Sequence, residues 1–76
     1  MVIAFVMINT EMGSEKAVLE AIKKVEGVVE AYDAFGVYDV IAKIKAETMD
    51  KLKEIMTWKI RRIDQVRSTL TLIVTE

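Results

Sequence analysis

Gly36-Val37-Tyr38-Asp39 is the stretch whose residue types, in this order, could carry chemistry. A glycine can take positive φ, and successive backbone N–H groups then converge on an anion such as a carboxylate. Asp39 could receive an ammonium group beside it, so both charges of an α-amino acid would be met. The same residues also make a plain hairpin, a turn glycine followed by a turn-stabilising aspartate. Taken alone they leave both readings open. Asp33 and Asp39 flank the hairpin, but two carboxylates without further oxygen ligands hold a cation poorly and read as turn and ladder-end residues. Tyr32, Phe35 and Tyr38 cluster there too, without the basic-aromatic signature of RNA-recognition strands.

Composition narrows the rest. The 76 residues include no cysteine and no histidine. Disulfides, thiolate or imidazole zinc sites and Ser-His or Cys-His nucleophiles are thereby removed. Carboxylates are plentiful, yet none pairs with a nucleophile or base at a strand end, so the expectation is a non-enzyme with no cofactor and no metal. Net charge is −1 with both signs interspersed, unlike a basic DNA-binding surface, and no direct DNA binding is expected. The densest basic patch, Lys59, Arg61 and Arg62 beside Lys51 and Lys53, reads as a solvated helix end. The apolar run 1–8 falls short of the ~20 residues of a membrane span and lacks the features of a signal peptide. A cytoplasmic domain away from membranes is expected.

The elements that must position the hairpin follow from periodicity. Residues 1–8 are apolar at both parities, as in a strand covered on both faces, and residues 9–13 break the pattern. Ser14 stands where a helix cap belongs, Val18, Leu19, Ile22 and Val25 recur at helical spacing, and Gly27 fits a left-handed stop, predicting a helix over 15–26. A strand over 28–34 and an alternating one over 39–45, with Val40, Ala42 and Ile44 on one side, make an antiparallel hairpin. Thr48 caps a second helix whose stripe is Met49, Leu52, Ile55, Met56 and Lys59 to Ile60. Residues 66–74 alternate Val66, Ser68, Leu70, Leu72 and Val74 against Arg67, Thr69, Thr71, Ile73 and Thr75. The order β-α-β-β-α-β over a single domain 1–76 predicts an α+β, ferredoxin-like fold with a four-stranded antiparallel sheet and two helices on one face.

Two helices cover only one face of such a sheet, while the first strand is apolar on both. Ile41, Ile73, Val29 and Ala31 are expected to add to the uncovered face, and Thr69, Thr71 and Thr75 to suit a half-polar interface there. A chain this short buries only about 60% of its unfolded surface, so self-association through that face is expected.

With these elements placed, Gly36-Val37-Tyr38-Asp39-Val40, Ile60, Ile63 and the run Val66-Arg67-Ser68-Thr69-Leu70-Thr71-Leu72-Ile73-Val74 resemble the C-terminal effector domain of Lrp/AsnC transcription regulators, often called RAM. The likeness runs from Ala4-Phe5-Val6 to Glu76. It implies homodimers formed through the sheets, often gathered into octameric or decameric rings, with amino acids bound in clefts between dimers. By the same resemblance Gly36, Tyr38 and Asp39 fall on the hairpin that contacts the effector, and Ser68, Thr69 and Thr71 on the strand that supplies hydroxyls. Two departures stand out. The chain begins directly at the first strand, with no helix-turn-helix, and so resembles a stand-alone RAM domain that modulates full-length regulators by mixed assembly. Phe35 occupies a position where a small hydroxylated residue is common. The alternatives are an ACT-like regulatory module, a dimeric ferredoxin-like monooxygenase or isomerase, and a purely structural oligomer.

Overall fold

The doubly apolar first run becomes a central strand. In the computed structural model, which describes residues 1–74, the elements follow as β1 (Val2–Thr10), α1 (Glu15–Lys23), β2 (Val28–Asp33), β3 (Val40–Ala46), α2 (Met49–Glu54) running into a π-helical segment (Ile55–Ile60), and β4 (Val66–Val74). The sheet order is β2-β3-β1-β4 and every neighbouring pair is antiparallel. This is the ferredoxin-like arrangement that the element order predicts. Thr75, assigned from sequence to the interface row, lies outside the described residues.

One face of the sheet meets the helices. Ala4, Val6 and Ile8 of β1 and Val40, Ala42 and Ile44 of β3 are buried against Val18 and Ile22 of α1 and against Leu52, Ile55 and Ile60. Directly opposed residues of an antiparallel pair share a face, so the register assigns the other side. There Ile41–Met7–Leu70 and Lys43–Phe5–Leu72 form rows across β3, β1 and β4, and Ile3 faces Val74.

The β4 assignment made from sequence is therefore reversed. Ile73 pairs with Ala4, Thr71 with Val6 and Thr69 with Ile8, so these three lie on the helix side, and Leu70, Leu72 and Val74 fill the open face. Ala31 is likewise in the core, opposite Ala42, and Val29 falls in a register shift of β2. Since β1 is apolar at both parities, its sequence carries no mark of which parity faces the helices. Val66 also leaves the alternation: Asn9 pairs with Ser68 and Thr10 with Val66, which makes Arg67 the extra residue of a β-bulge. The bulge turns Val66 back towards the core.

Helix ends differ from expectation in instructive ways. Ser14 makes no side-chain cap bond; the Gly13 N–H donates to Glu15 Oε2 at 3.1 Å instead. The helix stops at Lys23, short of 26, because the Lys24 and Val25 N–H groups fold back to Ala21 and Ile22. Thr48 does cap α2, its Oγ1 accepting the Lys51 N–H at 3.1 Å. Past Glu54 the helix widens, and the Arg61 N–H reaches back to the Met56 carbonyl at 3.0 Å. This extra residue per turn keeps Ile55, Met56 and Ile60 inward and leaves Trp58 in solvent. β1 also continues through Asn9 and Thr10, which pair with β4, and does not end at residue 8.

Gly27 carries the tightest approach. Its φ is +99°, and a Cβ there would sit 2.8 Å from Ile55 Cδ1 and 3.2 Å from the Lys45 carbonyl oxygen. At Gly13, φ is +84° with nothing within 4 Å. Gly27→Ala is expected to cost about 3 kcal/mol, backbone strain plus overpacking, and Gly13→Ala about 1 kcal/mol. Equal shifts of the two urea-unfolding midpoints would refute the close-packing account.

Candidate functional site

The two groups of residues marked from sequence approach each other at the far end of β1. On one edge, the Asp39 N–H donates to the Ile8 carbonyl at 2.9 Å, and Asp39 Oδ2 accepts from the Thr10 N–H at 2.9 Å and the Thr10 hydroxyl at 3.4 Å. The Asp39 carbonyl in turn accepts the Ala34 N–H at 2.8 Å, closing the hairpin. Among the described residues Asp39 Oδ1 receives no hydrogen bond. On the other edge, Ser68 stands opposite Asn9 and Thr69 opposite Ile8, with Asn9 Nδ2 donating to Ser68 Oγ at 3.3 Å. Asp39, Ser68 and Thr69 thus share one end of the sheet, separated by β1. Two strand spacings put the β3 and β4 backbones ~10 Å apart there.

The remaining marked residues are placed differently. Thr71 lies deeper along β4, opposite Val6, and its hydroxyl makes only a long contact of 4.0 Å with Met56 Sδ. Tyr38 is half-buried beside Asp39. Gly36 lies outside the left-handed region, since positive φ occurs among the described residues only at Gly13 and Gly27. The N–H nest that positive φ would build is not formed, and a Cβ at Gly36 would meet nothing within 4 Å. Its neighbours Phe35 and Val37 stand out in solvent at 107% and 84% exposure. Of the hairpin's two proposed roles, the structure brings only Asp39 into a fixed position.

Sequence reasoning missed two features. The first is a cleft of about 340 Å³ beside β4, lined by Arg61, Val66, Arg67, Ser68 and Thr69. The Arg67-Ser68-Thr69 tripeptide is visible in the sequence, but the bulge that aims Arg67 is not. The second is a polar network on the open face. Lys43 Nζ lies 3.8 Å from Glu30 and 5.9 Å from the centre of the Phe5 ring, and the Tyr32 hydroxyl donates to Glu30 at 2.8 Å. That hydrogen bond to the Glu30 carboxylate holds the tyrosine pKa above its ordinary value. Among the described residues no group of three His, Cys, Asp or Glu could hold a metal ion, and no helix is long and apolar enough to cross a membrane.

Comparison with known proteins gives a consistent set. A family model for the Lrp/AsnC ligand binding domain matches residues 3–76. An uncharacterized HTH-type transcriptional regulator of Pyrococcus furiosus is 33% identical over 73 residues, 92% of this chain and 49% of its own. The regulatory protein AsnC of Haemophilus influenzae is 40% identical over 63 residues, 79% of this chain and 42% of its own. The chain thus spans about half the length of these curated relatives or less. A crystal structure of a hypothetical protein from Pyrococcus horikoshii superposes with a TM-score of 0.94 at 36% identity, covering 100% of this chain and 92% of that one.

The two hairpin residues should behave oppositely in folding. Gly36→Val is expected to change stability by less than about 0.5 kcal/mol, as at an unconstrained surface site. Asp39→Ala should cost about 2 kcal/mol, because the Thr10 N–H loses a charged acceptor. Denaturant unfolding measures both, and a large loss for Gly36→Val would restore the positive-φ reading of this turn.

Proposed function

This chain belongs to the Lrp/AsnC family through its ligand-binding domain, and from that premise we propose that it is a cytoplasmic, non-catalytic sensor domain that binds an α-amino acid. The observation that carries the reading is Asp39. One carboxylate oxygen is committed to Thr10, which fixes the group, and the other is open to receive an ammonium. Ser68 and Thr69 at the same sheet end offer hydroxyls to the rest of the ligand, with Tyr38 beside Asp39. Gly36 and Thr71 are peripheral in this arrangement: Gly36 is exposed and has no nest, and Thr71 lies two residues further along β4.

Assembly is part of the proposal. Leu70, Leu72 and Val74 are 44%, 53% and 37% exposed on the face they share with Ile3, Phe5, Met7 and Ile41. Contiguous apolar surface of this kind usually marks an interface, and at roughly 25 cal/mol per Å² its burial is comparable to a small domain's whole stability. A second copy, sheet against sheet about a two-fold axis, covers it. Dimers then gather into larger rings, with the effector site completed between them. Full-length Lrp/AsnC regulators, whose own ligand-binding domains share this fold, are the natural mixed-assembly partners, and the domain exerts its effect through them without direct DNA binding.

Two measurements test this. Asp39→Asn keeps an acceptor for the Thr10 N–H but loses the charge, so calorimetric titration of the best-bound amino acid should show affinity falling about ten- to a hundredfold while folding holds. Thr69→Val should give a smaller loss. Leu72→Asp, opposite Phe5 on the open face, should turn an oligomer into a folded monomer in light scattering at micromolar concentration. Wild-type affinity in Asp39→Asn would reduce Asp39 to a structural latch, and a stable wild-type monomer would end the assembly model.

A further inference from the structure

We propose that Arg61 and Arg67, with the hydroxyls of Ser68 and Thr69, form a binding site for a small oxyanion, a carboxylate or a phosphate, on the outer side of β4. The cleft they line measures about 340 Å³, within the range of small-ligand sites. It shares Ser68 and Thr69 with the effector reading, rests on it to that extent, and deepens it by naming the anionic part of the ligand.

Three observations carry the proposal. The first is the bulge. Asn9 pairs with Ser68 and Thr10 with Val66, so Arg67 is the residue inserted between two register frames. A bulge bends the strand and re-aims a side chain, and here it brings Arg67 and Ser68 to one cleft. The second is charge. Among the described residues the ion pairs join Lys23 to Glu20, Lys43 to Glu30 and Lys51 to Glu54; neither Arg61 nor Arg67 has a carboxylate within 4.0 Å. Arg62 differs, lying over the Trp58 ring at 5.2 Å. The third is donor type. Two guanidinium forks and two hydroxyls present many donors, the set that matches the planar or tetrahedral oxygens of carboxylate and phosphate.

The cleft also lies across β1 from Asp39, at ~10 Å between strand backbones. The ammonium and α-carboxylate of one amino acid are closer than that. An amino acid with an acidic side chain spans more of that gap, and a free phosphate would take the arginine cleft alone. Both sources carry the same oxyanion chemistry, and the experiment separates them.

The test is calorimetric titration, at fixed ionic strength, of inorganic phosphate, L-glutamate and L-leucine into the whole chain and into Arg61→Gln, Arg67→Gln, Arg62→Gln and Asp39→Asn. Phosphate or glutamate should bind the wild type, and Arg61→Gln and Arg67→Gln should each weaken that binding about tenfold or more. Arg62→Gln should stay within about twofold of wild type, since a surface charge outside the cleft is largely screened. Binding of glutamate that falls in both Asp39→Asn and Arg67→Gln identifies an acidic amino acid; binding of phosphate sensitive to Arg67→Gln alone identifies a separate anion. No binding of either anion, or equal losses in Arg62→Gln and Arg67→Gln, overturns the site. If leucine binding then falls in Asp39→Asn and is untouched in Arg67→Gln, the amino-acid reading stands while the oxyanion cleft does not.

Discussion

Pairing along both edges of β1 is the constraint on which everything else in this domain rests. Val2–Thr10 is hydrogen-bonded to β3 on one side and to β4 on the other, while its side chains divide between the helix-covered core and the open face. β3 is the other inner strand, paired with β1 and β2, while β2 and β4 are edges. The helices hold one side of β1 by burying Ala4, Val6 and Ile8. The other side presents Ile3, Phe5 and Met7, half-buried only by their neighbours. A strand with two apolar faces in a two-layer domain leaves one of them unsatisfied, and that excess gives the monomer a reason to associate.

The same strand sets the chemistry at its end. The Thr10 N–H would be an unpaired donor where β3 turns away into the hairpin, and a buried donor without a partner costs about 1–3 kcal/mol. Asp39 supplies the acceptor. The carboxylate is thereby held where β1, β3 and the hairpin meet, and among the described residues its second oxygen receives no hydrogen bond. The surface pairs elsewhere are of another kind. Lys43 with Glu30, the first half-buried and the second exposed, is worth about 1 kcal/mol. It lies beside Phe5, Tyr32 and Ile41, and in the proposed assembly polar groups next to an apolar face would constrain how two such faces align.

Much of this was legible in the residues. Element order, the helix and strand parities of α1 and β3, the Thr48 cap and the uncovered sheet face all follow from period and turn chemistry. So does the family, through the hairpin and the Val66–Val74 strand. What sequence could not reveal depended on register. The faces of β4 were reversed because Thr69, Thr71 and Ile73 and Leu70, Leu72 and Val74 are both plausible interior rows, and only pairing with Ala4, Val6 and Ile8 decides between them. The bulge at Arg67 is a register event with no glycine to announce it. The π-helical turn at 55–60 is likewise silent in composition. At the candidate site, Asp39 is marked by its charge, yet its bond to Thr10 is non-local and invisible in sequence, and the positive φ open to Gly36 is not adopted.

Register also gives a reason why the proposed assembly and ligand binding would not be independent. β1 carries the open face on Ile3, Phe5 and Met7, and three residues past Met7 its backbone donates to Asp39. β4 carries Leu70 and Leu72 on that same face, and directly before them the bulge with Arg67, Ser68 and Thr69. A partner sheet that fixes the twist of β1 and β4 therefore also fixes the separation of Asp39 from the β4 hydroxyls. Coupling of this kind is reciprocal in free energy: a ligand that bridges the end of β1 favours the assembled form by the same factor by which assembly favours the ligand. Helix-side residues such as Ile22 or Leu52 touch neither surface, and their substitution acts on stability alone. On the proposed reading, the sheet, and not the helical layer, is the part of the molecule that would carry an effector signal.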